Sequence, residues 1–148
     1  MLKTAAKRNL IILLCAVICI SLGVTWWLNH HVYGNVKEVQ RSSDASQYYT
    51  EQEISAAMDK VIAYFHGSFY GCKLLEIRYD EDRSVREGAE WAEQYNADQA
   101  IVLLSSFDVK AKDAWKNGFT PGEVYKNWRW VLVRNGTGAW QLKTWGYG

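Results

Sequence analysis

Few residues in this 148-residue chain have side chains suited to acid–base or nucleophilic chemistry, and their spacing forms no catalytic motif. His66, Asp108 and Asp113 are the candidates for a general acid or base. No two of them stand at a spacing that predicts a dyad. Cys72 has no base beside it in the sequence, so we expect a small buried side chain rather than a nucleophile. The sequence therefore favours a protein without catalytic residues.

Two groups of polar residues have the composition of metal sites, but neither has suitable ligand spacing. His30 and His31 are adjacent, with no carboxylate or third histidine at ligand spacing. Asp80, Glu81 and Asp82 are consecutive, so only alternate side chains can face one ion, and the calcium-loop pattern is absent. We interpret the acidic run as a turn that leads into the first turn of a helix. We expect no metal and no cofactor.

Aromatic residues near the C-terminus are the candidates for a binding site. Four of the eight tryptophans lie between Trp128 and Trp145. Small-molecule pockets are mostly apolar, and exposed aromatic residues concentrate binding energy at protein interfaces. Filling the core is the alternative role for each of them. The predicted ligand-binding residues are Tyr125, Trp128, Trp130, Trp140, Trp145 and Tyr147.

The elements that must position these residues lie in one predicted α+β domain, residues 50–148. Residues 50–53 form a capping box, and apolar residues at helical spacing follow it, which predicts a helix over about 51–66. A weaker apolar pattern predicts a short helix over about 84–95. Alternating or continuous apolar residues predict four strands, at 72–80, 98–110, 124–134 and 140–145.

Side-chain alternation along these strands predicts which residues share a face. Leu75, Ile77 and Tyr79 are predicted to point one way, and Trp140 and Trp145 to lie on opposite faces. The sequence Asn-Gly-Thr-Gly at 135–138 predicts a tight turn, so the last two strands form an antiparallel hairpin.

The N-terminal segment predicts where the domain resides. Residues 9–28 contain no charged side chain and are long enough to cross a bilayer. The basic residues within 1–8 predict a cytoplasmic N-terminus, so residues 50–148 should lie outside the cell membrane. The alternative is a cleaved signal peptide, for which Ser21 and Gly23 supply small residues. Residues 29–49 show no sustained period and are predicted to be a linker.

Charge excludes one class of partner. The first eight residues contain three of the 17 basic side chains, so residues 9–148 carry 14 basic and 16 acidic groups. A nucleic-acid-binding domain would show a basic stripe, which this composition lacks. The expected partners are the membrane, through residues 9–28, and a small apolar ligand or an envelope protein.

One long amphipathic helix followed by antiparallel strands must bury its apolar stripe against the inner face of a curved sheet. This plan resembles the cone-shaped fold of the nuclear transport factor two and ketosteroid isomerase superfamily. Residues 50–148 also resemble a family of uncharacterised membrane-anchored proteins of clostridia and related Gram-positive bacteria. The segments that carry this second resemblance are 76–81, 101–105, 125–134 and 140–147. It implies an exported α+β domain and no particular activity.

The sequence leaves three functions open. The first is a membrane-tethered extracytoplasmic domain that binds or senses a ligand without catalysis. The second is a protein-interaction subunit of a cell-envelope complex. The third, which the superfamily resemblance implies, is a small isomerase- or dehydratase-like enzyme that uses the pocket of the cone, with His66 or Asp108 as acid or base.

Overall fold

Three helices and five strands are present in the residues that the computed structural model describes, which are 2–31, 33–110 and 117–147. The helices are α1 (Leu2–His31), α2 (Glu51–Ser68) and α3 (Glu81–Gln94). The strands are β1 (Gln40–Ser43), β2 (Cys72–Tyr79), β3 (Gln99–Val109), β4 (Val124–Arg134) and β5 (Gln141–Gly146). The mixed α+β class is confirmed, and the predicted elements appear in the predicted order.

Helix α1 has the length and composition of a membrane span. The stretch Lys7–Trp27 has a mean hydropathy of 2.5 over its most apolar part, and none of that part is buried within the protein. A helix of these properties near the N-terminus is compatible with a single transmembrane span or with a signal sequence.

The five strands form one sheet in the order β1-β2-β3-β4-β5. Strands β2 to β5 are antiparallel neighbours, as predicted. Strand β1 is an addition, and it pairs in parallel with β2. The sheet is therefore mixed rather than wholly antiparallel.

The prediction that residues 29–49 form a linker is wrong from Gly34 onward. The backbone of Asn35 exchanges hydrogen bonds with β2, donating to the Cys72 carbonyl at 2.8 Å and accepting from the Leu74 amide at 2.9 Å. Val36, Val39 and Tyr49 pack against the core, so the domain begins near Gly34 rather than at residue 50. Periodicity did not reveal β1 because its four residues are polar and all exposed.

The core lies between α2 and one face of the sheet. Thr50 caps α2 and completes the predicted capping box with Glu53, which fixes where the helix begins. Its buried stripe packs against the sheet residues that alternate toward it. The stripe consists of Ile54, Ala57, Met58, Val61 and Phe65, and its partners on the central strands include Ile77, Ile101, Leu103, Phe107, Trp130 and Leu132.

Helix α3 covers the edge of β3 beyond the end of β2. The Asp80 side chain accepts a hydrogen bond from the Arg83 amide at 2.9 Å, which confirms that the acidic run begins a helix. Ser84 Oγ accepts the Val102 amide at 3.1 Å, a backbone donor that β2 does not reach. A Cβ on Gly88 would stand 3.0 Å from the Ala100 carbonyl oxygen, so a larger residue would push the helix and the strand apart by a few tenths of an ångström. The edge of the central strand is thus closed.

A bulge in β2 changes which side chains enter the core. The pairing of β2 with β3 shifts between Leu74 and Glu76. Leu74 therefore joins Ile77 and Tyr79 in the core, whereas Leu75, which simple alternation placed in that row, is only half-buried.

Candidate functional site

A second bulge, in β4, brings aromatic residues to the face that carries α2. The pairing of β3 with β4 shifts between Ser105, opposite Trp128, and Phe107, opposite Tyr125. Asn127 lies within this bulge at a φ of 55°, a left-handed conformation that asparagine tolerates. Tyr125 and Trp128 consequently lie on one face although they are three residues apart. Trp130, two residues further along, shares that face.

A third bulge, in β5, places Trp145 on the same face. The register with β4 shifts between Val131, opposite Thr144, and Leu132, opposite Leu142. Trp145 pairs directly with Trp130 and stacks on it at a centroid distance of 6.2 Å. The prediction that Trp140 and Trp145 lie on opposite faces is therefore wrong, because an extra residue reverses the alternation.

Two of the six predicted binding residues fill the core. Trp130 is 0% exposed, and its indole Nε1 donates to Ser105 Oγ at 2.8 Å. Trp140 is 4% exposed and precedes β5, and its Nε1 donates to the Glu53 carbonyl at 2.9 Å. Each ring is packed and its single donor is satisfied, so both residues contribute to folding.

The other four predicted residues, Tyr125, Trp128, Trp145 and Tyr147, form one surface, which we call the aromatic patch. The ring centroids of Trp128 and Tyr147 are 5.1 Å apart, and those of Tyr125 and Tyr147 are 6.0 Å apart. Trp145 is 40% exposed and Tyr147 is 61% exposed, whereas Tyr125 and Trp128 are half-buried. The indole Nε1 of Trp128 is buried and has no hydrogen-bond partner among the described residues.

Three aromatic residues absent from the sequence prediction support the patch. The ring centroid of Tyr64, on α2, lies 4.6 Å from that of Trp145, and the ring centroid of Phe119 lies 5.9 Å from that of Trp128. Phe69, just beyond α2, links the patch to the core, with its ring 6.3 Å from Trp128. The helical period could have indicated Tyr64, which is adjacent to the buried stripe, but Phe119 lies in an irregular connection without a pattern.

The catalytic candidates His66 and Asp108 are each held by a different partner. The His66 ring is held by the Gly34 backbone, because its Nδ1 atom lies 2.8 Å from the Gly34 carbonyl oxygen. The Asp108 carboxylate pairs with Lys110 at 2.7 Å, and strand alternation directs it away from the face that Phe107 joins. Asp113 lies outside the described residues. These positions provide no acid–base pair between His66 and Asp108.

Buried groups elsewhere are held in their neutral or paired forms. Cys72 is buried, as expected. Burial raises the pKa of its thiol to about 12, with a further contribution from the negative charge of Asp108, so the thiol stays protonated. Burial also raises the pKa of the Tyr79 hydroxyl to about 12, assisted by its hydrogen bond to Glu81. Within the described residues, no group of three or more potential metal ligands is assembled.

A polar cluster occupies the end of the sheet opposite the patch. Arg134 is 7% exposed, pairs with Glu53, donates to Gln99 at 2.6 Å and lies over the Trp140 ring at 4.3 Å. The Thr50 backbone amide and the Arg134 side chain hold the pKa of the Glu53 carboxyl below its usual range. An open cavity of about 420 Å³ adjoins this cluster. The cluster ties the start of α2 to the end of β4.

A second open cavity, of about 430 Å³, lies between α3 and the start of β3. Small α3 residues, including Ser84, Gly88 and Ala92, form one wall, and Tyr48 and Tyr49 form another. None of the six predicted residues lines it.

Comparisons of the chain with protein-family models, with curated proteins and with solved structures found no match.

Proposed function

We propose that this protein is a single-pass, membrane-tethered extracytoplasmic domain that binds or senses a partner without catalysis. The aromatic patch is its recognition surface. The observation that carries this proposal is the convergence of Tyr125, Trp128, Trp145 and Tyr147 on one face through two bulges, with Trp145 and Tyr147 exposed. A domain that needed these rings only for its core would bury them, as it buries Trp130 and Trp140.

The proposed location and fold plan rest on separate observations. Three basic residues within 1–8 precede the uncharged stretch of α1, residues 9–28, which favours an internal N-terminus and an external domain. The packing of the long helix α2 on one face of β2 to β4 supports the cone-shaped plan of the nuclear transport factor two superfamily. The parallel strand β1 and the edge-covering α3 are additions to the simplest form of that plan.

A protein-interaction subunit of a cell-envelope complex is the second candidate function. It is favoured by the openness of the patch, because exposed tryptophan and tyrosine side chains anchor protein interfaces. A small isomerase- or dehydratase-like enzyme has less support, because His66 and Asp108 point to different surroundings.

The test is a double variant, Trp145→Ala/Tyr147→Ala, compared with Tyr48→Ala. Tyr48 is 63% exposed, close to the 61% of Tyr147, and lies away from the patch, so it is a matched control. We expect Tyr48→Ala to keep the wild-type melting temperature and the double variant, which loses the stacking of Trp145 on Trp130, to melt lower but stay folded at the assay temperature. Only the double variant should lose cross-linking to envelope components. Equal cross-linking by all three proteins would count against the patch as a recognition surface.

Topology needs its own measurement. An impermeant protease added to protoplasts should digest the domain, and full protection would refute the external location. Release of a soluble product that begins near Val24 would establish the signal-peptide alternative instead.

A further inference from the structure

The chain passes from α1 into the domain within a few residues. Helix α1 ends at His31, and the Gly34 amide donates to the His66 carbonyl oxygen at 2.8 Å, with His66 Nδ1 2.8 Å from the Gly34 carbonyl. Three residues span at most about 10 Å when fully extended. Gly34, where the chain hydrogen-bonds to His66 of α2, is therefore held close to the end of α1.

This point lies at the same end of the sheet as the aromatic patch. We call it the proximal end, where β2 and β4 begin and β3 and β5 finish. Asn35 bonds to the start of β2 at Cys72, which pairs with Val109 at the end of β3. Neighbouring Asp108 pairs with Val124, the first residue of β4. Register alone thus brings the entry of the chain and Tyr125 to one end.

Aromatic contacts connect the two features directly. Gly34 packs on the backbone of Phe65, whose ring stacks on Phe69 at 4.5 Å. Phe69 in turn approaches Trp128 of the patch at 6.3 Å. The patch and the tether are therefore parts of one packed unit.

We propose that the aromatic patch rests on the outer bilayer surface and has the lipid interface as its partner. This inference rests on the proposed tether, and it names the partner of the proposed recognition surface. The apolar stretch of α1 ends at Trp27, about 6 Å of helix before His31. Adding the 10 Å limit of the tether places Gly34, at the proximal end, within about 16 Å of the hydrocarbon edge, close to a headgroup layer about 5 to 8 Å thick.

The chemistry of the proximal end fits this partner. Tryptophan and tyrosine concentrate at the membrane–water interface because each has an apolar body and a polar edge. Val124, 46% exposed, adds apolar surface beside Tyr125. Lys110, Glu123 and Lys126 are all exposed in this part of the chain, so the charges there are of mixed sign. Docking should therefore depend on the aromatic rings and only weakly on anionic lipid or salt.

Fluorescent labels at the two ends of β4 can test the arrangement in the full chain. A Cys15→Ala/Cys19→Ala background leaves Cys72, which is 2% exposed, as the remaining native thiol. Lys126→Cys places a label beside the patch, and Thr137→Cys places one beyond the far end of β4, about 30 Å away at the rise of a strand. The protein is reconstituted in phosphatidylcholine vesicles whose headgroups carry a nitroxide quencher.

We expect several-fold stronger quenching at position 126 than at position 137. Tyr147→Ala should weaken the quenching at position 126, and Trp145→Ala/Tyr147→Ala should reduce it to the level at position 137. Tyr48→Ala should leave the quenching at position 126 unchanged. Tyr147 follows the last strand and is 61% exposed, so its replacement should leave the fold intact.

Equal quenching at both positions in the wild type would overturn the proposal. Strong quenching that persists in the double variant would also overturn it, because the tether alone would then hold the domain. Flotation of the chain with the vesicles distinguishes a failure of the lipid contact from a failure of the membrane tether. Chains that float without quenching at position 126 refute the lipid contact alone, whereas chains that do not float refute the tether itself. Loss of an envelope-protein cross-link in the double variant, without any lipid contact, would assign the patch to a protein partner.

Discussion

Gly34→Ala should loosen the junction between the tether and the domain. A Cβ at this position would stand 2.4 Å from the Phe65 carbonyl oxygen and 2.9 Å from its Cδ1 atom, both inside contact distance. Overpacking of this kind costs about 1 to 3 kcal/mol. Displacing the chain also weakens at least one of the two hydrogen bonds with His66, worth about 0.5 to 1.5 kcal/mol. The expected loss of stability is about 2 to 4 kcal/mol.

Gly67→Ala is the matched control, because it lies in the last turn of α2 beside the same junction. A Cβ there would meet nothing within 4 Å. Alanine in a helix is favoured over glycine by about 0.5 to 1 kcal/mol, so this variant should be neutral or slightly stabilised.

Urea unfolding of residues 33–148, followed by tryptophan fluorescence, measures both changes. Hydrogen exchange of the Leu74 amide, which donates to Asn35, adds a local readout and should accelerate in Gly34→Ala alone. A loss below about 0.5 kcal/mol in Gly34→Ala, with unchanged exchange at Leu74, would refute the tight junction.

Three further predictions concern the domain. A fragment of residues 50–148 should be about 3 kcal/mol less stable to urea than residues 33–148, because it lacks β1 and three core-packing side chains, and equal stability would restore the linker interpretation. Phe65→Ala should cost about 3 to 5 kcal/mol because the ring is 0% exposed, and a loss below about 1 kcal/mol in the same assay would contradict its core position. The lowered Glu53 pKa, due to the amide of its helix cap and to Arg134, adds stability that is present above the ordinary glutamate pKa of about 4.3 and is lost as pH falls through the folded value. Melting temperatures of Glu53→Gln should therefore decline less steeply on acidification than those of the wild type, and parallel profiles would refute this role.

Local sequence signals predicted most of the secondary structure. The capping box at Thr50 and Glu53 marks the start of α2, and a stripe at helical spacing follows it. Strand β4 runs over Val124–Arg134, as alternation predicted, and the acidic residues after Asp80 begin a helix. These features are local, because caps, turns and periodic stripes act within a few residues of one another.

The faces of the strands could not be predicted in the same way. Each of the three bulges inserts one residue, and one inserted residue reverses every side chain beyond it. Leu75 and Trp145 were misassigned for this reason. No short-range pattern marks the bulge sites, apart from an asparagine at position 127 that tolerates positive φ.

The sequence by itself therefore determined an apolar N-terminal helix, an α+β domain and an excess of aromatic residues near the C-terminus. Only the tertiary structure divided those residues between core and surface, burying Trp130 and Trp140 and leaving Trp145 and Tyr147 exposed. It also joined Asn35 and the polar strand β1 to β2, and the Asn35 bonds bring the entry of the chain to the end of the sheet that carries the patch. The physical reason is that pairing partners and register depend on residues far apart in the chain, while composition and periodicity report only on neighbours.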